Sequence, residues 1–220
     1  MIIIRRIEGA LSGFCAVYSK GSFVLTDSLY PPIFTQSICM ATSASIKAAL
    51  ASGQIIAYPT EAVWGLGCDF RNPQAVMRLL QLKQRAMDKG LILICADFCY
   101  AEALLQPLPA SLHAQLRTYW PGHYTLLLPD PLQQVPGWIK GAYATFALRI
   151  STHPVMRQIN AVWPQPIVST SANISSNPPA TTMEELVTVF GDQVTVIPGA
   201  LGQETQPSRI VDLASGKQVR

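Results

Sequence analysis

Two short segments carry the residue types that hold phosphate. Lys83-Gln-Arg85, with Lys89 close behind, gathers three cations at the end of an amphipathic stretch. Ser169-Thr-Ser171-Ala-Asn173 gathers three hydroxyls and an amide after the apolar run Ile167-Val168. A polyphosphate needs convergent cations, arginine binding through two nitrogens at once and lysine as a point charge. Hydroxyls and amides add hydrogen bonds without adding charge. Lys83 and Arg85 lie two apart, so on a continuing helix they face different sides. They converge only where the chain has left the helix, and Met87-Asp88 ahead of Gly90 points to such an exit. Each segment also has a plain reading. Cations complement a helix C-terminus, and a Ser/Thr-rich stretch makes a turn before Pro178-Pro179.

A third segment, Tyr58-Pro-Thr60-Glu61-Ala-Val-Trp64-Gly65-Leu-Gly67, directly follows an apolar strand. Thr60 and Glu61 then stand at the strand's carboxyl end, where ligands bind in open α/β sheets. The proline and two glycines predict a loop whose backbone approaches a ligand closely; a tight turn with a solvated Glu61 is the plain alternative. Arg149 lies inside the apolar strand Thr145–Ile150 and needs a partner, because an unpaired buried charge is costly. That partner is either a structural carboxylate or the carboxylate of a ligand, and the strand alone does not choose.

The elements that must position these residues alternate regularly from residue 40 onward. Ser43 caps a helix running through Leu50 and stopping at Gly53, and Gln54–Tyr58 reads as a strand. Asn72-Pro73 is a cap followed by proline at the first helical position, and Val76, Leu79 and Leu80 form that helix's apolar stripe. Leu91–Ile94 is apolar on both faces and so reads as a central strand. Helices follow from Asp97 to about Leu105, over Leu112–Tyr119 and over Val155–Ala161, with strands at Thr125–Leu128, Thr145–Ile150 and Ile167–Ser169. Thr182-Met-Glu-Glu185 fits a capping box ahead of a helix ending at Gly191, and short strands near Val194–Ile197 and Arg209–Leu213 close the chain. This order implies an α/β protein, a mixed sheet covered by helices.

Residues 1–39 read differently, with Gly9, Gly13, Gly21, Pro31 and Pro32 and no helical period. They are taken as an N-terminal extension, disordered or the product of an upstream start with Met40 as the true one. A short β-hairpin is the alternative, since Ser22-Phe-Val-Leu alternates weakly. Residues 40–220 form the catalytic domain on this reading.

Composition narrows the function. With 220 residues, 49% apolar and only 13% charged, the chain buries a large core. A net charge of +3 is too mild for a non-specific nucleic-acid binder. The five cysteines lack any C-x-x-C and the three histidines any H-x-x-x-H, so reduced thiols in a cytosolic protein are expected and no metal site. No run reaches the roughly 20 apolar residues of a membrane helix. Walker, dinucleotide-binding, zinc-protease and G-x-S-x-G motifs are all missing. What remains is chemistry by cations, hydroxyls and positioning.

Taken together and in order, Ile56–Asp69, Ala75–Arg85, Asp88–Ile94, Trp120-Pro-Gly122, Val168–Asn173 and Pro207-Ser208-Arg-Ile210 resemble the YrdC (TsaC) family of threonylcarbamoyl-AMP synthases. The likeness runs from about residue 42 to 220. It implies a YrdC-like fold: a twisted mixed sheet flanked by helices, with the concave form of a double-stranded-RNA-binding-protein-like α/β fold and a positive concave face. It implies a cytoplasmic nucleotidyltransferase. The reaction it implies joins L-threonine, bicarbonate or CO2 and ATP into threonylcarbamoyl-adenylate and diphosphate. A downstream tRNA threonylcarbamoyl-transfer enzyme is the implied partner; it modifies adenosine 37 of tRNAs reading codons that begin with A, and weak tRNA binding goes with this. By resemblance Lys83 and Arg85 are catalytic; Lys83, Arg85, Lys89, Thr145, Ser171 and Asn173 bind ATP, with Mg²⁺ beside the phosphates. Thr60, Arg149, Ser169 and Ser208 bind threonine. Lys89-Gly90 stands where many members have Asn-Pro, and Ser175-Ser176 replaces a common Ser-Gly. Ile94 stands where longer members have a histidine, and the C-terminal domain of those members has no counterpart. The rival reading from another class is a non-catalytic RNA-binding module in ribosome or tRNA maturation.

Overall fold

The computed structural model describes residues 41–219, together with the backbone of Phe14–Ser19 and Ser22–Asp27. The chain divides into two units, Met1–Ser37 and Ile38–Arg220. In the first, β1 (Phe14–Ser19) and β2 (Ser22–Asp27) pair antiparallel, Ser19 opposite Ser22, so the weak alternation after Ser22 falls in a strand. The expectations of a disordered extension and of a start at Met40 lie outside the described residues.

The second unit runs α1 (Ser43–Ala51), β3 (Ile56–Pro59), β4 (Trp64–Gly67), α2 (Pro73–Lys83), β5 (Ile92–Cys95), α3 (Glu102–Leu105), α4 (Ala110–Tyr119) and β6 (Tyr124–Pro129). It continues α5 (Gly137–Lys140), β7 (Thr145–Ile150), α6 (Pro154–Val162), β8 (Ile167–Ser171), α7 (Met183–Phe190), β9 (Thr195–Val196) and β10 (Arg209–Asp212). Helix starts follow their capping chemistry. Asn72 accepts from Ala75 N at 3.1 Å ahead of Pro73, and Thr182 with Glu185 forms the expected capping box. For α1 the cap is Thr42, one residue before the expected Ser43. Helix α2 ends at Lys83 because Gln84 turns left-handed at φ 51°, which is the exit that Lys83 and Arg85 required.

The eight strands of this unit lie in the order β10-β6-β7-β5-β8-β4-β3-β9. Pairings β10–β6, β5–β7 and β3–β9 are parallel and the other four antiparallel, so the sheet is mixed, as the alternation of elements implied. Side chains alternate across it. Phe146, Leu148 and Ile150 of β7, with Leu93 of β5, face a core filled by α2, α3, α4 and α7. On the opposite face Ile56, Tyr58, Ile94 and Ile167 pack under α1 and α6. Those two helices fill only part of that face.

The strand β4 was not expected. Gly65 and Gly67 are poor strand formers, and their segment was read as a loop approaching a ligand. In the structure their missing side chains admit protein, and Gly65 also borders an open cavity. A Cβ on Gly67 would stand 2.5 Å from the Val168 carbonyl and 3.0 Å from the Tyr58 ring; one on Gly65 would meet that ring at 3.3 Å. Tyr58, wholly buried, lies across both glycines and needs that space.

Candidate active site

Where α1 and α6 stop, the second face of the sheet opens into a cavity of about 510 Å³. Its floor follows from register. Leu127 pairs with Ala147, Ala147 with Ile92, and Ile92 with Ser169, so four adjacent strands contribute one row of small or apolar side chains. Along β7 the same face carries Thr145, Ala147 and Arg149. Thr145 and Arg149 are four residues apart, about 13 Å at the rise of a strand.

Cations mark the Thr145 end. Arg85 Nη2 donates to Gly90 O at 2.9 Å and Lys89 O at 3.4 Å, holding the guanidinium against the loop that leads into β5. Arg85, exposed Lys89 and Lys140 all line the cavity. Lys140 is paired with Asp130 at 2.8 Å, whereas the hydrogen bonds of Arg85 go to carbonyl oxygens, with the Asp88 charge acting on it from nearby. No aspartate or glutamate is among the described residues that line the cavity. This end is therefore positive and suited to an anion.

Lys83 sits behind that surface. The residue is 2% exposed, and its ammonium donates to Ser171 O, to Asn173 O at 2.7 Å and to Asn173 Oδ1 at 3.0 Å. Ser171 Oγ donates to the same Oδ1 at 2.6 Å, and Asn173 Nδ2 to Asn177 O at 2.7 Å. Three oxygens match the three protons of an ammonium. Burial first, then the neighbouring Arg85 charge, brings the Lys83 pKa down from 10.5 to about 8. Lys83 and Asn173 do not line the cavity, which differs from the direct phosphate contact expected of them. They brace Ser171, which does line it.

At the Arg149 end the plain and the functional readings coexist. Arg149 Nη2 lies 2.6 Å from Glu61 Oε2 and donates to His123 Nδ1 at 2.9 Å, yet the residue also lines the cavity. Its Nε is buried and has no partner. Glu61 Oε1 accepts from Ser151 Oγ at 2.6 Å. Burial works to raise the Glu61 pKa, but the Arg149 charge and the Ser151 hydrogen bond outweigh it and hold it below 4.5. Thr60 Oγ1 donates to Val63 O at 2.6 Å, closing the turn between β3 and β4. Ser208, just before β10, and Thr125 of β6 share a buried hydrogen bond of 2.8 Å. Residues 198–208 pass over this end as a strap: Gly202 N donates to Thr60 O at 2.9 Å and Glu204 N to Glu61 O at 3.0 Å.

The structure thus brings Thr60, Arg85, Lys89, Thr145, Arg149, Ser169, Ser171 and Ser208 to one cavity. Two participants escaped the sequence reading. Glu61 was noticed as a loop carboxylate, not as the partner of Arg149. His123 was counted only as one of three scattered histidines; its place just before β6 was the one available signal.

Comparison with known proteins identifies relatives of this chain. Residues 48–220 match the Sua5_yciO_yrdC family model, described as "Telomere recombination". A threonylcarbamoyl-AMP synthase of Marinobacter nauticus is 46% identical over 170 residues, 77% of this chain and 90% of the relative. One of Chromohalobacter salexigens is 45% identical over 177 residues, 80% and 95% of the two chains. The crystal structure of P. abyssi Sua5 complexed with L-threonine superposes with a TM-score of 0.70 at 30% identity, covering 79% of this chain. This chain spans 52% of that longer one.

Proposed function

The chain belongs to the Sua5/YciO/YrdC family, and from that premise we propose that it is a threonylcarbamoyl-AMP synthase. The observation that carries the reading is one cavity with an anion-binding end at Arg85 and Lys89 beside Thr145, and a second guanidinium, Arg149, about 13 Å from Thr145 along the same strand face. Two anionic groups of different substrates can be held there at once. ATP takes the first end, with its phosphates on Arg85 and Lys89 and hydrogen bonds from Thr145 and Ser171. Threonine takes the second, its carboxylate on Arg149 and its polar atoms near Thr60, Ser169 and Ser208. Lys83 and Asn173 act through Ser171, whose position they hold.

The threonine amine adds to CO2, losing one proton and forming a carbamate. A carbamate oxygen then forms a bond to the α-phosphorus of ATP while the bond to the bridging oxygen breaks, releasing diphosphate. This step needs alignment of two bound anions and neutralisation of developing charge more than a strong base. The donor set does not fit a resident metal: among the described residues no three His, Cys, Asp or Glu side chains gather. Magnesium enters this reading with ATP, on the phosphates. The adenylate product is passed to a tRNA threonylcarbamoyl-transfer enzyme for adenosine 37 of tRNAs reading codons that begin with A.

Release of pyrophosphate from ATP is expected only when threonine and bicarbonate are both present. Equal turnover with serine, or no turnover from protein that binds tRNA tightly, would sink the proposal; the latter would favour an RNA-binding module.

A further inference from the structure

Among the features that the reaction scheme leaves unused, the His123 ring has both nitrogens committed, one of them to the cavity's Arg149. An arginine can only donate and a carbonyl can only accept. Arg149 Nη2 at 2.9 Å therefore makes Nδ1 the acceptor, and Gln206 O at 2.7 Å makes Nε2 the donor. These two contacts select the tautomer with the ring proton on Nε2. It stands between the residue proposed to grip the threonine carboxylate and the strap 198–208.

The strap is pinned at a second point by another ring. His153 Nε2 meets Ala200 O at 3.1 Å, while His153 Nδ1 accepts from Val155 N at 3.2 Å and caps α6. Between these pins the strap meets Thr60 and Glu61 by backbone hydrogen bonds alone. Of the two pins, only His123 also touches the cavity's arginine.

We propose that His123 is a positioning residue for substrate threonine: it orients the Arg149 guanidinium and couples that orientation to the strap carrying Ser208. The physical reason is geometric. Glu61 approaches Nη2 as an ion pair and supplies charge, but a single carboxylate contact leaves the guanidinium free to swing about that nitrogen. A second acceptor on the same nitrogen, from the loop before β6, removes that freedom. With Nη2 committed to Glu61 and His123 and Nε buried, a guanidinium so fixed offers Nη1 in one direction to a substrate carboxylate.

The inference rests on the synthase reading, and two substitutions separate it from that reading. His123→Asn places an amide oxygen near the position of Nδ1 and keeps the acceptor for Arg149. His123→Gln reaches toward Gln206 O but loses that acceptor. In the pyrophosphate assay His123→Gln is expected to raise the KM for threonine about tenfold, the loss of one hydrogen bond to a charged group, with the KM for ATP unchanged. His123→Asn is expected to stay within about twofold of the parent for both substrates. An unchanged threonine KM in His123→Gln, or an equal rise for threonine and ATP in both variants, overturns the positioning role. Absence of threonine-dependent turnover in the unsubstituted protein overturns the synthase reading instead, and the two failures cannot be confused.

Discussion

A lysine whose three protons all meet protein oxygens has none left for a ligand, whereas an arginine tied through one nitrogen keeps others to offer. Lys83 and Arg85 differ in that way. Lys83→Ala leaves buried oxygens without donors, at a cost of roughly 3 kcal/mol, which for a domain of this size lowers Tm by about 6–12 °C. Arg85→Ala releases only the loop carbonyls of Gly90 and Lys89, beside the open cavity: Tm is expected to move by less than about 2 °C while kcat/KM for ATP falls roughly a hundredfold. Calorimetry and the pyrophosphate assay on both variants check the pair; equal losses of Tm would mean that Arg85 is structural too. Glu61 gives a pH dependence. Its folded pKa lies below 4.5, so between these values the unfolded chain binds more protons than the folded one. Its stabilisation is complete above pH 4.5 and is lost as the pH falls through the folded value. Thermal unfolding between about pH 6 and pH 3.5 is expected to show a smaller loss of Tm in Glu61→Gln than in the parent.

At the scale of elements, β3 and β4 show how a strand forms against its own propensity. Gly65 and Gly67 offer no side chains to pack, yet the ladder from Ile56↔Gly67 to Pro59↔Trp64 is complete. The stabilising surface comes from Tyr58, whose ring covers both glycines. Gly67→Ala drives a methyl to 2.5 Å from a backbone carbonyl that cannot swing away and is expected to cost about 1–3 kcal/mol. Gly65→Ala, whose closest neighbour is a Thr60 methyl at 3.2 Å, is expected to cost less. Urea denaturation of the two variants gives the order, and the reverse order would remove this account of the segment. Strand β5 shows the ordinary case. Apolar on both faces, it lies between β7 and β8 with Leu93 in one core and Ile94 in the other.

At the scale of the larger unit, one sheet serves two environments: a dry core under α2, α3, α4 and α7, and a second face half covered by α1 and α6 and half open as the cavity. The half-cover places Arg149 at the border, in the row of Ile94 and Ile167 that the helices bury. Much of this was legible in the chain. Caps at Asn72 and Thr182, the apolar run Leu91–Ile94 and the order of strands and helices are local matters, decided by hydrogen bonds and burial within a few residues. So is the gathering of residue types that hold phosphate around Lys83, Arg85 and Ser171. Which of those side chains reaches the cavity was not local. Lys83 turns inward because oxygens about ninety positions away in the chain occupy its protons, and Arg149 is at once a structural ion pair and a cavity wall because Glu61 and His123 arrive from two other loops. Residue type and spacing determined the chemistry the chain could offer; long-range register and packing decided which atoms are spent on the fold and which remain for a ligand.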